Sequence, residues 1–89
     1  MTSRAVIVVN QLGLHARAAA KLVQTASAYS SDISVLYNSK KVSAKSIMGI
    51  MMLAASRGTT IEIVASGKDE QEALYALESL IVDRFGEPE

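Results

Sequence analysis

The sequence predicts an α+β domain in two layers, a four-stranded and mainly antiparallel sheet with all its helices on one face. Three observations carry that expectation. Short β-branched runs and segments of helical spacing follow one another in the order β-α-β-β-α-β-α. The dipeptide Asn38-Ser39 stands between two of the runs, where a tight hairpin would turn. The 89 residues, 49% of them hydrophobic, are enough for one core and too few for two, so residues 1–89 are expected to form a single domain. Pattern does not determine strand order, and a ferredoxin-like arrangement with an extra helix would give almost the same string.

Arg4 to Val9 is β-branched and apolar on both alternating faces, as a covered strand would be. Asn10 to Gly13 breaks it. From Ala16 the chain turns to strong helix formers, with Ala19, Leu22, Val23 and Ala26 at helical spacing, and this helix ends near residues 27–29. Ile33 to Tyr37 reads as the second strand and Lys41 to Ala44 as the third. Ser46 begins a short apolar helix that runs to about Ser56, with Arg57-Gly58 as its cationic last turn and glycine stop.

In the fourth strand, Thr60 to Ser66, Ile61, Ile63 and Ala65 alternate with Thr60, Glu62 and Val64, so one face should be buried. Asp69 and Glu72 form an acidic version of a capping box before a last helix whose inner face is Ala73, Leu74, Leu77, Leu80 and Ile81. Gly86 and Pro88 should end it.

Composition excludes several classes of function. Nine basic and nine acidic residues cancel, so the broad pull toward phosphate backbones or anionic lipid is missing, and neither nucleic acid nor a membrane surface is expected as a partner. No cysteine is present, which removes disulfides and thiolate chemistry and fits a reducing, cytoplasmic setting. One histidine among scattered carboxylates offers no ligand cluster, so no metal is expected. The longest apolar stretch, Ile47 to Ala55, is well short of the roughly 20 residues needed to cross a bilayer, and the amino terminus lacks a secretory cleavage pattern.

The stretch Gly13-Leu14-His15-Ala16-Arg17-Ala18-Ala19-Ala20-Lys21 runs against the ordinary rules for starting a helix. A helix start presents unpartnered N–H groups and the positive end of the dipole, and acidic or short capping side chains suit it. Here the cap position holds the only histidine, and the first turn holds an arginine and no acid. A bound anion would resolve the conflict. The amides of Ala16, Arg17 and Ala18, together with the Arg17 guanidinium, could cradle a phosphate, and His15 could carry a phosphoryl group covalently on a ring nitrogen. Positive surroundings would favour the uncharged, nucleophilic ring. The commoner meaning of a lone histidine at such a boundary, or of a lone arginine, is a solvated side chain; it is their pairing that points to phosphate.

Gly13-Leu14-His15-Ala16-Arg17 followed by Ala19-Ala20 closely resembles the active-site signature of the HPr family, the histidine-containing phosphocarriers of the bacterial phosphoenolpyruvate-dependent phosphotransferase system. The similarity continues through Lys45-Ser46-Ile47-Met48-Gly49, Gly58-Thr59 and Gly67-Lys68-Asp69-Glu70 to the last helix. The resemblance implies an open-faced β-sandwich, four antiparallel strands covered on one side by three helices. It implies a relay with a phosphohistidine intermediate rather than an independent enzyme: His15 accepts the group through Nδ1 from phosphorylated enzyme I, Arg17 contacts the phosphate, and a IIA protein or domain takes the group away. It implies no cofactor, and a monomer is the default. One position departs from the family pattern. A proline usually follows the arginine, and this chain has Ala18, which leaves the first turn less rigid but adds an N–H near the phosphate.

Ser46 reads locally as an N-cap. By the same resemblance it matches the serine modified by HPr kinase/phosphorylase, and a phosphate there would sit at the positive end of a helix without unfolding it. Ile47, Met48, Ile50, Met51, Met52 and Leu53 leave that helix without a polar side, although only one face can pack on the sheet. Ile47, Met48 and Met51 are therefore expected to form an adaptable docking surface, and the competing expectation is packing under neighbouring loops. Two other functions fit less of the sequence. A regulatory paralogue in a nitrogen-type branch would act mainly by binding proteins, and a ferredoxin-like small-molecule sensor would leave His15 and Arg17 unexplained.

Overall fold

The computed structural model describes residues 1–87. Four strands, β1 (Thr2–Ile7), β2 (Asp32–Tyr37), β3 (Lys40–Ser43) and β4 (Thr60–Ser66), form one antiparallel sheet in the order β1-β4-β2-β3. Helices α1 (Ala16–Ser27), α2 (Ile47–Met52) and α3 (Glu70–Val82) cover one face, and a 3-10 turn at Arg84–Gly86 follows α3. The result is the open-faced β-sandwich.

Register explains the core. Val35 lies opposite Ile63, Ile33 opposite Ala65, and Val6 opposite Ile61, so the inward residues of three strands meet in rows. All six are buried, together with Ala18, Ala19, Leu22 and Ala26 of α1 and Ala73, Leu74, Leu77 and Ile81 of α3. The alternation expected of β4 is therefore the observed one. Asn38 and Ser39 both adopt positive φ, 53° and 67°, and Tyr37 pairs with Lys40, which makes a two-residue hairpin with the twist that suits its strands.

Strand β1 starts two residues earlier than its apolar run. Thr2 and Ser3 pair with Ala65 and Val64 because backbone groups extend a ladder whatever their side chains. Val8 stays tied to the neighbouring segment through bonds from its N–H to the Thr59 carbonyl (2.9 Å) and from the Gly58 N–H to its own carbonyl (2.7 Å).

Three helix-end expectations need correction. α2 stops at Met52 rather than near Ser56, because Ala54 turns left-handed (φ 55°) while Leu53 and Ala55 drop into the core. Gly58 (φ 89°) turns the chain into β4 instead of capping the helix. Asp69 precedes α3 but makes no side-chain cap bond; its carboxylate reaches across to Ser30 and Ser31, which hold it more tightly than the helix amides do. α3 ends at Val82, ahead of Gly86, and Pro88 lies outside the described residues.

Candidate functional site

The loop between β1 and α1 is shaped by Gly13. Its φ is +66°, and a Cβ there would lie 2.6 Å from the Ala55 carbonyl oxygen and 2.9 Å from the Ser56 Cα. Glycine is required on both counts. The close approach lets the Leu14 amide donate to the Ala55 carbonyl (3.0 Å), with Leu14 itself buried. The loop is thereby clamped to the segment that leaves α2, and His15 emerges beside that clamp.

His15 is the N-cap of α1, with extended backbone (φ −74°, ψ 179°) and no side-chain capping bond. The first bond of the helical ladder runs from the Ala19 amide to the His15 carbonyl (2.8 Å). The amides of Ala16, Arg17 and Ala18 therefore precede the ladder and have no acceptor within the helix. No acidic residue occupies the first turn. Ala16 and Arg17 are exposed and Ala18 is buried, and among the described residues no carboxylate pairs with Arg17. His15, Arg17 and the first-turn amides thus share one end of one helix.

The structure adds a group that local sequence reading missed. Beside the positive helix end and Arg17, the neighbours the sequence points to, the Nε2 of His15 lies 2.6 Å from Oε2 of Glu87, 72 residues away in the chain. Side-chain exposure is 27% for His15 and 11% for Glu87. The other carboxylate oxygen of Glu87 accepts from Nδ2 of Asn10 (3.1 Å), and that same nitrogen donates to the Gly13 carbonyl (2.7 Å). Burial works against ionisation of Glu87, but the hydrogen bonds from His15 and Asn10, helped by the charge of Lys21, hold its carboxyl below the usual range.

Two features bring Glu87 there. Phe85 is buried, and its carbonyl accepts from Lys21 Nζ of α1 (2.5 Å). Arg84, Phe85 and Gly86 have φ of 56°, 55° and 76°, which curls the chain back after α3. The available sequence signal was the lone aromatic Phe85 beyond the last helix, followed by a glycine.

The local reading of Ser46 as an N-cap holds. Ser46 is the N-cap of α2, and its hydroxyl accepts from the Gly49 amide (3.0 Å). Ile50 faces the core, whereas Ile47, Met48, Met51 and Met52 are 43%, 69%, 40% and 67% exposed. Packing under loops, the competing expectation, does not cover them. The Leu14–Ala55 bond joins the His15 loop to the segment that leaves α2.

Residues 2–83 match the family described as the PTS HPr component phosphorylation site. The chain belongs to the HPr family. A phosphocarrier protein HPr of Cupriavidus necator is 52% identical over 89 residues, covering all of both chains, and one from Neisseria meningitidis is 51% identical over the same span. A solved structure of HPr from Thermoanaerobacter tengcongensis has a TM-score of 0.96 at 50% identity and covers the whole of both chains. HPr-type membership makes the protein a phosphocarrier of the phosphotransferase system. Among the described residues no helix is long and apolar enough to cross a membrane, and no group of three or more His, Cys, Asp or Glu could hold a metal ion.

Proposed function

We propose that this chain accepts a phosphoryl group on His15 from phosphorylated enzyme I and passes it to IIA proteins or domains. The supporting observation is the partly exposed imidazole at a helix start whose first amides lack acceptors within the helix, with an exposed guanidinium two residues on. The amides of Ala16, Arg17 and Ala18 and the side chain of Arg17 meet the phosphate oxygens, while the ring supplies the nucleophile. Transfer between two ring nitrogens then requires alignment and charge stabilisation more than any further catalytic group. The working unit is one chain, a single domain acting in the cytoplasm, and it needs no cofactor. Incubation with enzyme I and phosphoenolpyruvate should place one acid-labile phosphate on His15, which a candidate IIA protein then removes. A His15→Ala protein that still relays phosphate would overturn the proposal.

A regulatory role through Ser46 is favoured by the exposed patch beside it. Phosphate on Ser46, added by HPr kinase/phosphorylase, would place negative charge next to Ile47, Met48 and Met51 and hinder docking of partners that bury them. A nitrogen-type regulatory branch would use the same surface for control of other proteins, and tests against the IIA candidates of each branch would separate the two pathways.

A further inference from the structure

Glu87 lies beyond residues 2–83, the span that matches the family, yet its carboxylate lies 2.6 Å from Nε2 of the His15 ring. Its placement is heavily constrained. Phe85 anchors the tail in the core, Lys21 holds the Phe85 carbonyl, and Asn10, itself fully buried, holds the second carboxylate oxygen. Arg84 and Phe85 keep left-handed backbone, a conformation that persists in non-glycine residues only where surroundings impose it. A carboxylate accepts hydrogen bonds and cannot donate them, so the hydrogen in the 2.6 Å contact sits on Nε2 of His15.

We propose that Glu87 is the positioning residue of His15, presenting the ring as the Nε2–H tautomer with the Nδ1 lone pair free for phosphorus and then serving as counter-charge to the phosphorylated ring. This rests on the carrier reading given above. In the step itself the Nδ1 lone pair attacks the phosphorus of a donor phosphohistidine. The Nδ1–P bond forms as the donor N–P bond breaks, and the donor ring retains that electron pair. The His15 ring becomes cationic, its Nε2 hydrogen stays in place, and no proton has to leave. Glu87 already faces that hydrogen, so the new positive charge arises beside a pre-placed negative one. Onward transfer reverses the change.

The test uses the full-length protein with enzyme I and labelled phosphoenolpyruvate, and compares wild type with Glu87→Gln and Glu87→Ala. Neither substitution touches Phe85 or Lys21, so the tail keeps its anchor. The wild-type Hε2 proton of His15 should be protected from solvent exchange in proton NMR, and Glu87→Ala should lose that protection. Phosphorylation of Glu87→Ala should show kcat lowered about tenfold or more with KM unchanged, and Glu87→Gln, which keeps an acceptor but no charge, should fall between. A labelled wild type with an equally fast Glu87→Ala, or an unprotected wild-type Hε2, overturns the positioning role alone. A wild-type protein that takes no label overturns the carrier reading and this proposal with it.

Discussion

The carboxylate of Asp69 and the hydroxyl of Ser31 lie 2.5 Å apart and tie the start of α3 to the start of β2. The Asp69 carboxylate also accepts from the backbone amides of Ser30 (2.9 Å) and Ser31 (3.0 Å). Gly67 makes this approach feasible, since a Cβ there would lie 2.6 Å from the Ser31 hydroxyl oxygen. The Ser31 hydroxyl bond, followed by the Ser30 amide bond, lowers the Asp69 carboxyl from 3.8 to about 2. A carboxyl whose folded value is depressed binds protons more readily in the unfolded chain. Its stabilisation is present in full above the unfolded value and is lost as pH falls from 3.8 toward about 2. Thermal unfolding of wild type and Asp69→Asn should therefore differ by a constant Tm gap above pH 5, and that gap should close across this window. A gap unchanged at pH 2 would count against the assignment.

Gly13→Ala combines a left-handed backbone with a collision against the Ala55 carbonyl. It should destabilise the fold by about 2 kcal/mol or more, read by urea unfolding. Because the Leu14–Ala55 bond positions the histidine loop, its phosphorylation rate should fall as well. Gly58→Ala, at a positive φ with nothing within 4 Å of the added Cβ, should show only the backbone penalty and serves as the control.

Arg17 is exposed and unpaired with any carboxylate among the described residues, so its loss should leave stability within about 0.5 kcal/mol of wild type. Arg17→Ala should nevertheless slow phosphorylation of His15 by roughly 10²-fold, the scale found when one transition-state donor is removed. Arg17→Lys should recover part of the rate, because it keeps the charge and loses the two-pronged contact. Quenched-flow labelling by enzyme I gives both numbers.

Ser46→Ala removes the bond to the Gly49 amide and should cost about 1 kcal/mol in chemical denaturation. Ser46→Asp keeps an N-cap acceptor, so its stability should stay near wild type while binding to enzyme I weakens. Met48→Asp, at a largely exposed position, should behave in the same way. Titration calorimetry against enzyme I is the readout, and unchanged affinity in both variants would rule out docking through this patch.

How far the sequence could be read depended on the range of the interactions involved. Hydrophobic alternation in β4, the two-residue turn at Asn38-Ser39 and the helical spacing of α1 are local signals, and each appears in the structure where its residues placed it. The conflict at His15 and Arg17 was local too, because helix capping and the dipole act within one turn. The extent of α2 and the partner of Asp69 were misread for the opposite reason: Ala54 turns to bury Leu53 and Ala55, and Asp69 finds donors 38 residues back in the chain.

Sequence alone therefore determined the element order, the inward faces and the mismatch between the start of α1 and the histidine and arginine that occupy it. Only the tertiary structure decided the strand order, the clamp between Leu14 and Ala55, and the meeting of Glu87 with His15. Periodicity and capping propensity are properties of neighbouring residues. A hydrogen bond across 72 residues exists only once the core has drawn in Phe85 and turned the tail back toward α1.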